Sequence, residues 1–150
     1  MKGSYLLVIW LDEDKMIRTK AREFSLRRGY YVYVGSAMNS LEGRVRRHFS
    51  PKKKLHWHID YLLKEAELLE AYLIPNEKRL EETLSLEISK IAEPVVGFGA
   101  SDVSVGTNLY HFSRKPDPFL EAVLKELNLE WKRVKSINEL EELMQKNLKN

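Results

Sequence analysis

The chain has no cysteine among its 150 residues, and that absence removes much chemistry. Disulfide bridges, thiol nucleophiles and thiolate zinc sites are all excluded. Long apolar runs are missing too: nothing approaches the roughly 18 consecutive apolar residues of a membrane-spanning helix. Proline and glycine are sparse, at five and seven residues, and there is no internal repeat or low-complexity segment. Acidic charge is scarce in one region. Residues 1–55 hold 13 Lys+Arg against 5 Asp+Glu, a balance of +8, while the other 95 hold 12 against 17, a balance of −5. A basic block of this kind suits a polyanionic partner, nucleic acid first, although a solvated lysine- and arginine-rich surface is the plainer reading. The start, Met1 to Leu11, has one lysine and a short apolar run, with no small-residue cleavage site. It reads as a strand rather than a signal peptide, so the cytoplasm is the expected compartment.

What is present reads as an α+β domain with a small antiparallel sheet flanked by helices. Gly3–Leu11 is a strand, and Met16–Ala21 is expected to be the second strand of a hairpin with it. Gly29–Gly35 is the clearest strand, with Tyr31, Tyr33 and Gly35 on one face and Tyr30, Val32 and Val34 on the other. Ser40 caps a helix whose stripe is Leu41, Val45 and Phe49. A short helix spans His58–Lys64, and a strand spans Leu68–Ile74. Asn76 is expected to cap a helix through Ala92, stopped by Pro94. Residues 95–108 read as loop and Asn108–Ser113 as a short strand. A helix to about Leu127 follows Pro116 and Pro118, then a strand over Leu129–Val134, then a helix capped by Ser136. Residues 1–115 form the expected domain, and 116–150 an extension packed on it.

One segment carries chemistry. Tyr33-Val34-Gly35-Ser36-Ala37 ends a strand, and the next helix projects Arg44, Arg47 and His48 at i, i+3 and i+4, on one face. A guanidinium suits a phosphate because its planar fork donates two hydrogen bonds and stays charged. A tyrosine hydroxyl and a histidine beside it could move a proton or orient water.

At these residues the chain resembles the GIY-YIG nuclease superfamily. Gly3-Ser4-Tyr5 and Tyr33-Val34-Gly35 look like the two halves of its motif. Arg44 falls where its catalytic arginine stands, and His48 where it carries His or Tyr. The similarity is closer to a prokaryotic family of unknown function allied to that superfamily, through Tyr31–Ala37, Arg44-x-x-x-His48, Trp57–Leu63 and Gly97–Asp102. The resemblance implies a three-stranded antiparallel core and a metal-dependent endonuclease. Its catalytic residues would be Tyr5, Tyr33, Arg44, His48 and Glu81. Arg47, Lys52, Lys53, Lys54 and His58 would contact nucleic acid, DNA ahead of RNA. It also implies one Mg²⁺ (or Mn²⁺) on a glutamate of a later helix, where Glu81 and Glu87 are the alternatives and Glu81 is favoured. The closer family carries three cysteines and a histidine where this chain has Glu82, Val103, Val105 and Asn108, so no structural zinc is expected here.

Three rival readings stand beside this one. His56-Trp57-His58-Ile59-Asp60 has the spacing of a binuclear metal site on a strand, but too few further ligands accompany it. A nucleic-acid-binding module without catalysis would use the same basic residues. A protein-interaction adaptor would rest on the acidic helix of Glu139, Glu141 and Glu142. No membrane partner is expected.

Overall fold

The computed structural model describes residues 1–99 and 106–149, with side chains to residue 146. Its centre is β1 (Gly3–Leu11), buried along nearly its whole length on both faces. Only a strand with a neighbour on each side and a layer above and below can hold such a sequence. β1 runs antiparallel to β4 (Gly29–Ala37), with Tyr5 opposite Gly35, and antiparallel to β5 (Glu67–Pro75), with Tyr5 opposite Leu73. β7 (Leu109–Phe112) pairs with β4, and the two-residue β6 (Glu93–Pro94) with β7. β8 (Lys132–Val134) closes the other side on β5, giving a six-stranded sheet in the order β6-β7-β4-β1-β5-β8.

Alternation along the strands divides the interior into two layers. Tyr5, Leu7, Ile9, Tyr31, Tyr33 and Leu73 face one way. They meet Leu41 and Val45 of α1 (Leu41–Phe49) and Ile59 and Leu62 of α2 (His58–Glu65). Leu6, Val8, Val32, Val34, Tyr72 and Ile74 face the other way. They meet Leu84 and Ile88 of α3 (Glu81–Ser89) and Leu120 and Leu124 of α4 (Asp117–Glu126). The terminal helix α5 (Ile137–Lys149) inserts Leu140 into the first layer. The molecule is thus α+β. Among the described residues no helix is long and apolar enough to cross a membrane.

Two local expectations need correction. Residues after β1 do not fold back on it. β2 (Lys15–Arg18) pairs instead with β3 (Glu23–Leu26) in a separate two-stranded sheet. The reason is competition: β4 and β5 already occupy both edges of β1, and Ile17, Phe24 and Leu26 bury themselves in the first layer. The third helix starts at Glu81, not after Asn76, and ends at Ser89. Asn76 Oδ1 accepts from the Lys78 N–H at 2.9 Å, a local turn that satisfies the backbone without a helix. At the true helix entry the Leu80 N–H donates to Ser4 Oγ of β1 at 3.1 Å. The caps at Ser40 and Ser136 form, each accepting from the amide three residues on, at 3.0 and 3.1 Å.

A tyrosine, histidine and arginine pocket at the end of the central strands

The pocket begins with an absence of side chain. Gly35 sits opposite Tyr5, and a Cβ there would lie 2.3–2.8 Å from atoms of the Tyr5 ring. Glycine in mid-strand therefore makes room for Tyr5 to lie across β4, rather than serving a turn. Tyr33, two residues earlier on the same face, comes within 6.4 Å of Tyr5 between ring centres. α1 then delivers His48, whose ring stands 5.2 Å from Tyr5 and 6.3 Å from Tyr33. The Tyr5 hydroxyl and His48 Nε2 are hydrogen-bonded at 2.8 Å.

Arg44 lies one helical turn before His48. Its Nη1 donates to the Ser36 carbonyl at 3.3 Å, and its guanidinium rests over the Trp57 ring at 4.5 Å. Arg47 also lies over Trp57, at 4.6 Å, but its guanidinium is committed. It makes two bonds to the buried Asp60 carboxylate, at 2.8 and 2.9 Å, and a third to the Lys54 carbonyl at 2.8 Å. Asp60 also accepts the backbone N–H groups of His56 and Trp57, each at 2.9 Å. Arg47 is thus a brace for the loop between α1 and α2, not an open phosphate contact. Trp57 is the seat on which Arg44 rests, a role that its sequence position did not reveal.

Burial sets the protonation of the pocket. It raises the Tyr5 phenol to about 12, against the pull of the neighbouring Arg44 charge. It raises Tyr33 further still, helped by Tyr5 and by the negative charge of Glu81. It pushes His48 down to about 3, with the Asp60 charge opposing. Phenols and imidazole are therefore all neutral near pH 7, and proton transfer from Tyr5 to His48 is strongly uphill. Burial alone would raise Asp60 as well, but Arg47 and the two amides outweigh it and hold the carboxyl at about 2. His48 Nδ1 is buried without a hydrogen-bond partner.

The candidate carboxylates separate. Glu81 opens α3 with a side chain only 15% exposed, and its charge reaches both Tyr5 and Tyr33. Glu87 lies more than a turn further along and is paired with Lys90 at 2.9 Å. Of the two, Glu81 is the one that faces the tyrosines. Among the described residues no group of three or more His, Cys, Asp or Glu is placed to hold a metal. The donor set therefore fits a hard cation anchored by one carboxylate and otherwise hydrated, and it does not fit a caged ion.

The remaining candidates scatter. Lys52 and Lys54 are exposed, whereas Lys53 turns inward and donates to the carbonyls of His48 and Ser50 at 3.0 and 2.9 Å. His58 Nδ1 accepts the Gly99 N–H at 3.0 Å and its ring packs on Phe24 and Phe98, so one nitrogen is structural. Among the described residues His56, His58 and Asp60 do not gather into a metal-binding group. Ala100 to Asp102, Val103 and Val105 lie outside the described residues.

No curated protein and no solved structure matches the chain. A family model does, described as a domain of unknown function, DUF123, and it matches residues 4–129. That span runs from β1 through α4, the whole frame that carries Tyr5, Tyr33, Arg44, His48 and Glu81, and the chain belongs to this family.

Proposed function

We propose that the protein is a metal-dependent endonuclease of the GIY-YIG type, hydrolysing a phosphodiester in nucleic acid. One observation carries this reading. Two tyrosines on adjacent strands, a guanidinium, an imidazole and a carboxylate converge at one end of the sheet, with Tyr5 and His48 hydrogen-bonded at 2.8 Å. Arg44, seated over Trp57 beside the two tyrosines, stabilises charge on the phosphate as the P–O bond breaks. Tyr33 and Tyr5, being neutral, act through hydrogen bonds and orient the attacking water. His48 fixes the Tyr5 hydroxyl. Glu81 would anchor Mg²⁺, which when bound supplies positive charge for the phosphate and acidifies water. The exposed Lys52 and Lys54 belong to the basic N-terminal third of the sequence and suit the flanking backbone.

The test is cleavage of branched, looped and plain DNA and RNA in Mg²⁺ or Mn²⁺, with Arg44→Ala alongside. Cleavage by the parent protein, reduced about 100-fold or more in the variant, is the expected result for loss of one preorganised charge. Salt-sensitive binding without Arg44-dependent cutting would leave the pocket a binding module. No salt-sensitive binding at all would turn attention to the acidic face of α5.

A further inference from the structure

Behind the tyrosine pocket lies a second cleft, of about 600 Å³, between the end of α1, the loop that follows it, α2 and the start of β5. Its size is that of a small-molecule site. Phe49, Leu55, Leu63 and Leu68 form an apolar floor that the fold leaves half-buried. Three cations ring it: Lys52 and Lys64, both exposed, and Lys53, half-buried. The one acidic lining residue is Asp60, and its two oxygens are taken by Arg47 and by the His56 and Trp57 amides. The uncompensated charge of the cleft is therefore positive.

Lys53 is the distinctive member. Its Nζ donates to the His48 and Ser50 carbonyls at the end of α1, which fixes it in place and uses two of its three hydrogens. The third has no acceptor among the described residues. Burial lowers its affinity for the proton, so an anion beside it would relieve a real cost. On the same wall is His48, whose Nδ1 also lacks a partner. A buried polar group without a partner beside a half-buried cation calls for an explanation.

We propose that this cleft binds a small molecule with an apolar body and one anionic head group, the body on Phe49, Leu55, Leu63 and Leu68 and the head on Lys53, flanked by Lys52 and Lys64. The site adjoins the tyrosine pocket, with His48 in the wall between them, and does not depend on the protein being a nuclease. Its chemistry suits a carboxylate or a phosphate monoester alike.

The experiment titrates the full chain with octanoate, octyl phosphate, octanol and acetate, each below its micelle concentration, by calorimetry and by chemical-shift mapping. Octanoate or octyl phosphate is expected to bind saturably at one site. Shifts should centre on Leu55, Leu63 and Leu68, and octanol should bind at least tenfold more weakly. The stronger of the two anions identifies the head group. Lys53→Met should weaken the anion at least tenfold and leave octanol unchanged. If that variant melts, Lys64→Met should show the same selectivity to a smaller degree. Leu63→Gln should weaken octanoate and octanol together. Octanol binding as tightly as octanoate would overturn the proposal, as would shifts mapping elsewhere or no saturable binding. A short oligonucleotide shifting Leu63 and Leu68 while octanoate does not would also overturn it, making the cleft part of a nucleic-acid track.

Discussion

His48 is the residue whose burial has the most direct solution consequence. An imidazole held at about 3 in the folded chain titrates near 6.5 when unfolded, so the unfolded state takes up the proton first. Its contribution is neutral above pH 6.5 and increasingly destabilising as pH falls from 6.5 toward 3. The slope is at most about 1.4 kcal/mol per pH unit. Asp60 adds to this lower down, because a carboxyl held at about 2 gives stability that is lost as pH falls from 3.8 through 2. We expect denaturant midpoints to decline from about pH 6.5 downward, and His48→Gln to flatten that decline between pH 6.5 and 4.5. A parent protein whose midpoint is constant over this interval would contradict the assignment. Gly35→Ala tests the space under Tyr5. A methyl group there must displace a ring held against His48 and Arg44, so it should cost about 1–3 kcal/mol, as overpacking does, and lower the proposed cleavage alongside.

At the scale of elements, the loop between α1 and α2 is held by one carboxylate. Asp60 joins the Arg47 fork to two backbone amides, and Trp57, the platform for Arg44, lies inside that loop. Asp60→Ala leaves these donors unmet, at a cost of about 3 kcal/mol or more. The double replacement Asp60→Leu with Arg47→Met should recover part of the loss in thermal melts, yet not the positioning of Arg44. Continuous apolar runs made β1, β4 and β5 legible in the sequence, because a strand buried on both faces has few other readings. Ser40 and Ser136 announced their helices, because the cap is a local interaction. The pairing of β2 with β3 was not legible, since it depends on β4 and β5 having claimed β1 from a distance. The late start of α3 was hidden because Asn76 forms a turn as readily as a cap. Within the pocket, Tyr5, Tyr33, Arg44 and His48 were readable as residue types in a resembling order. That Arg47 and Lys53 turn inward was not, because lysine and arginine look alike on paper whether solvated or braced. Sequence favoured Glu81 over Glu87, but which of them lies by the tyrosines depends on where α3 starts.

Across the whole molecule, the last 35 residues add to their apolar and strand contacts a charged cluster on the face away from the tyrosine pocket. Arg133 of β8 lies 3.7 Å from Glu70, 4.0 Å from Asp117 and 3.4 Å from Glu121, while Tyr72 donates to Asp117 at 2.6 Å. Glu70 is buried with neither oxygen hydrogen-bonded, and Arg133 is shared among three carboxylates, of which Asp117 also lies 3.9 Å from Lys115. Burial already pushes Asp117 above the ordinary carboxylate range, despite the Arg133 charge. Arg133→Met should destabilise the chain by about 1–3 kcal/mol at pH 7. The deficit should shrink as the pH is lowered toward 4, because Asp117, raised by burial, takes up a proton in the folded state. Parallel melting curves at pH 7 and pH 4.5 would read this difference, and an equal deficit at both would show the cluster to be inert.

The position of β1 in the middle of the sheet also shapes how the protein is made. Residues 3–11 leave the ribosome ahead of both their neighbours, β4, ending at Ala37, and β5, ending at Pro75. Until β5 emerges, this apolar ribbon has an open edge and invites pairing with other nascent chains. Fragments truncated before β5 are therefore expected to form inclusion bodies, and successful expression to depend on translation keeping pace from β1 to the end of β5.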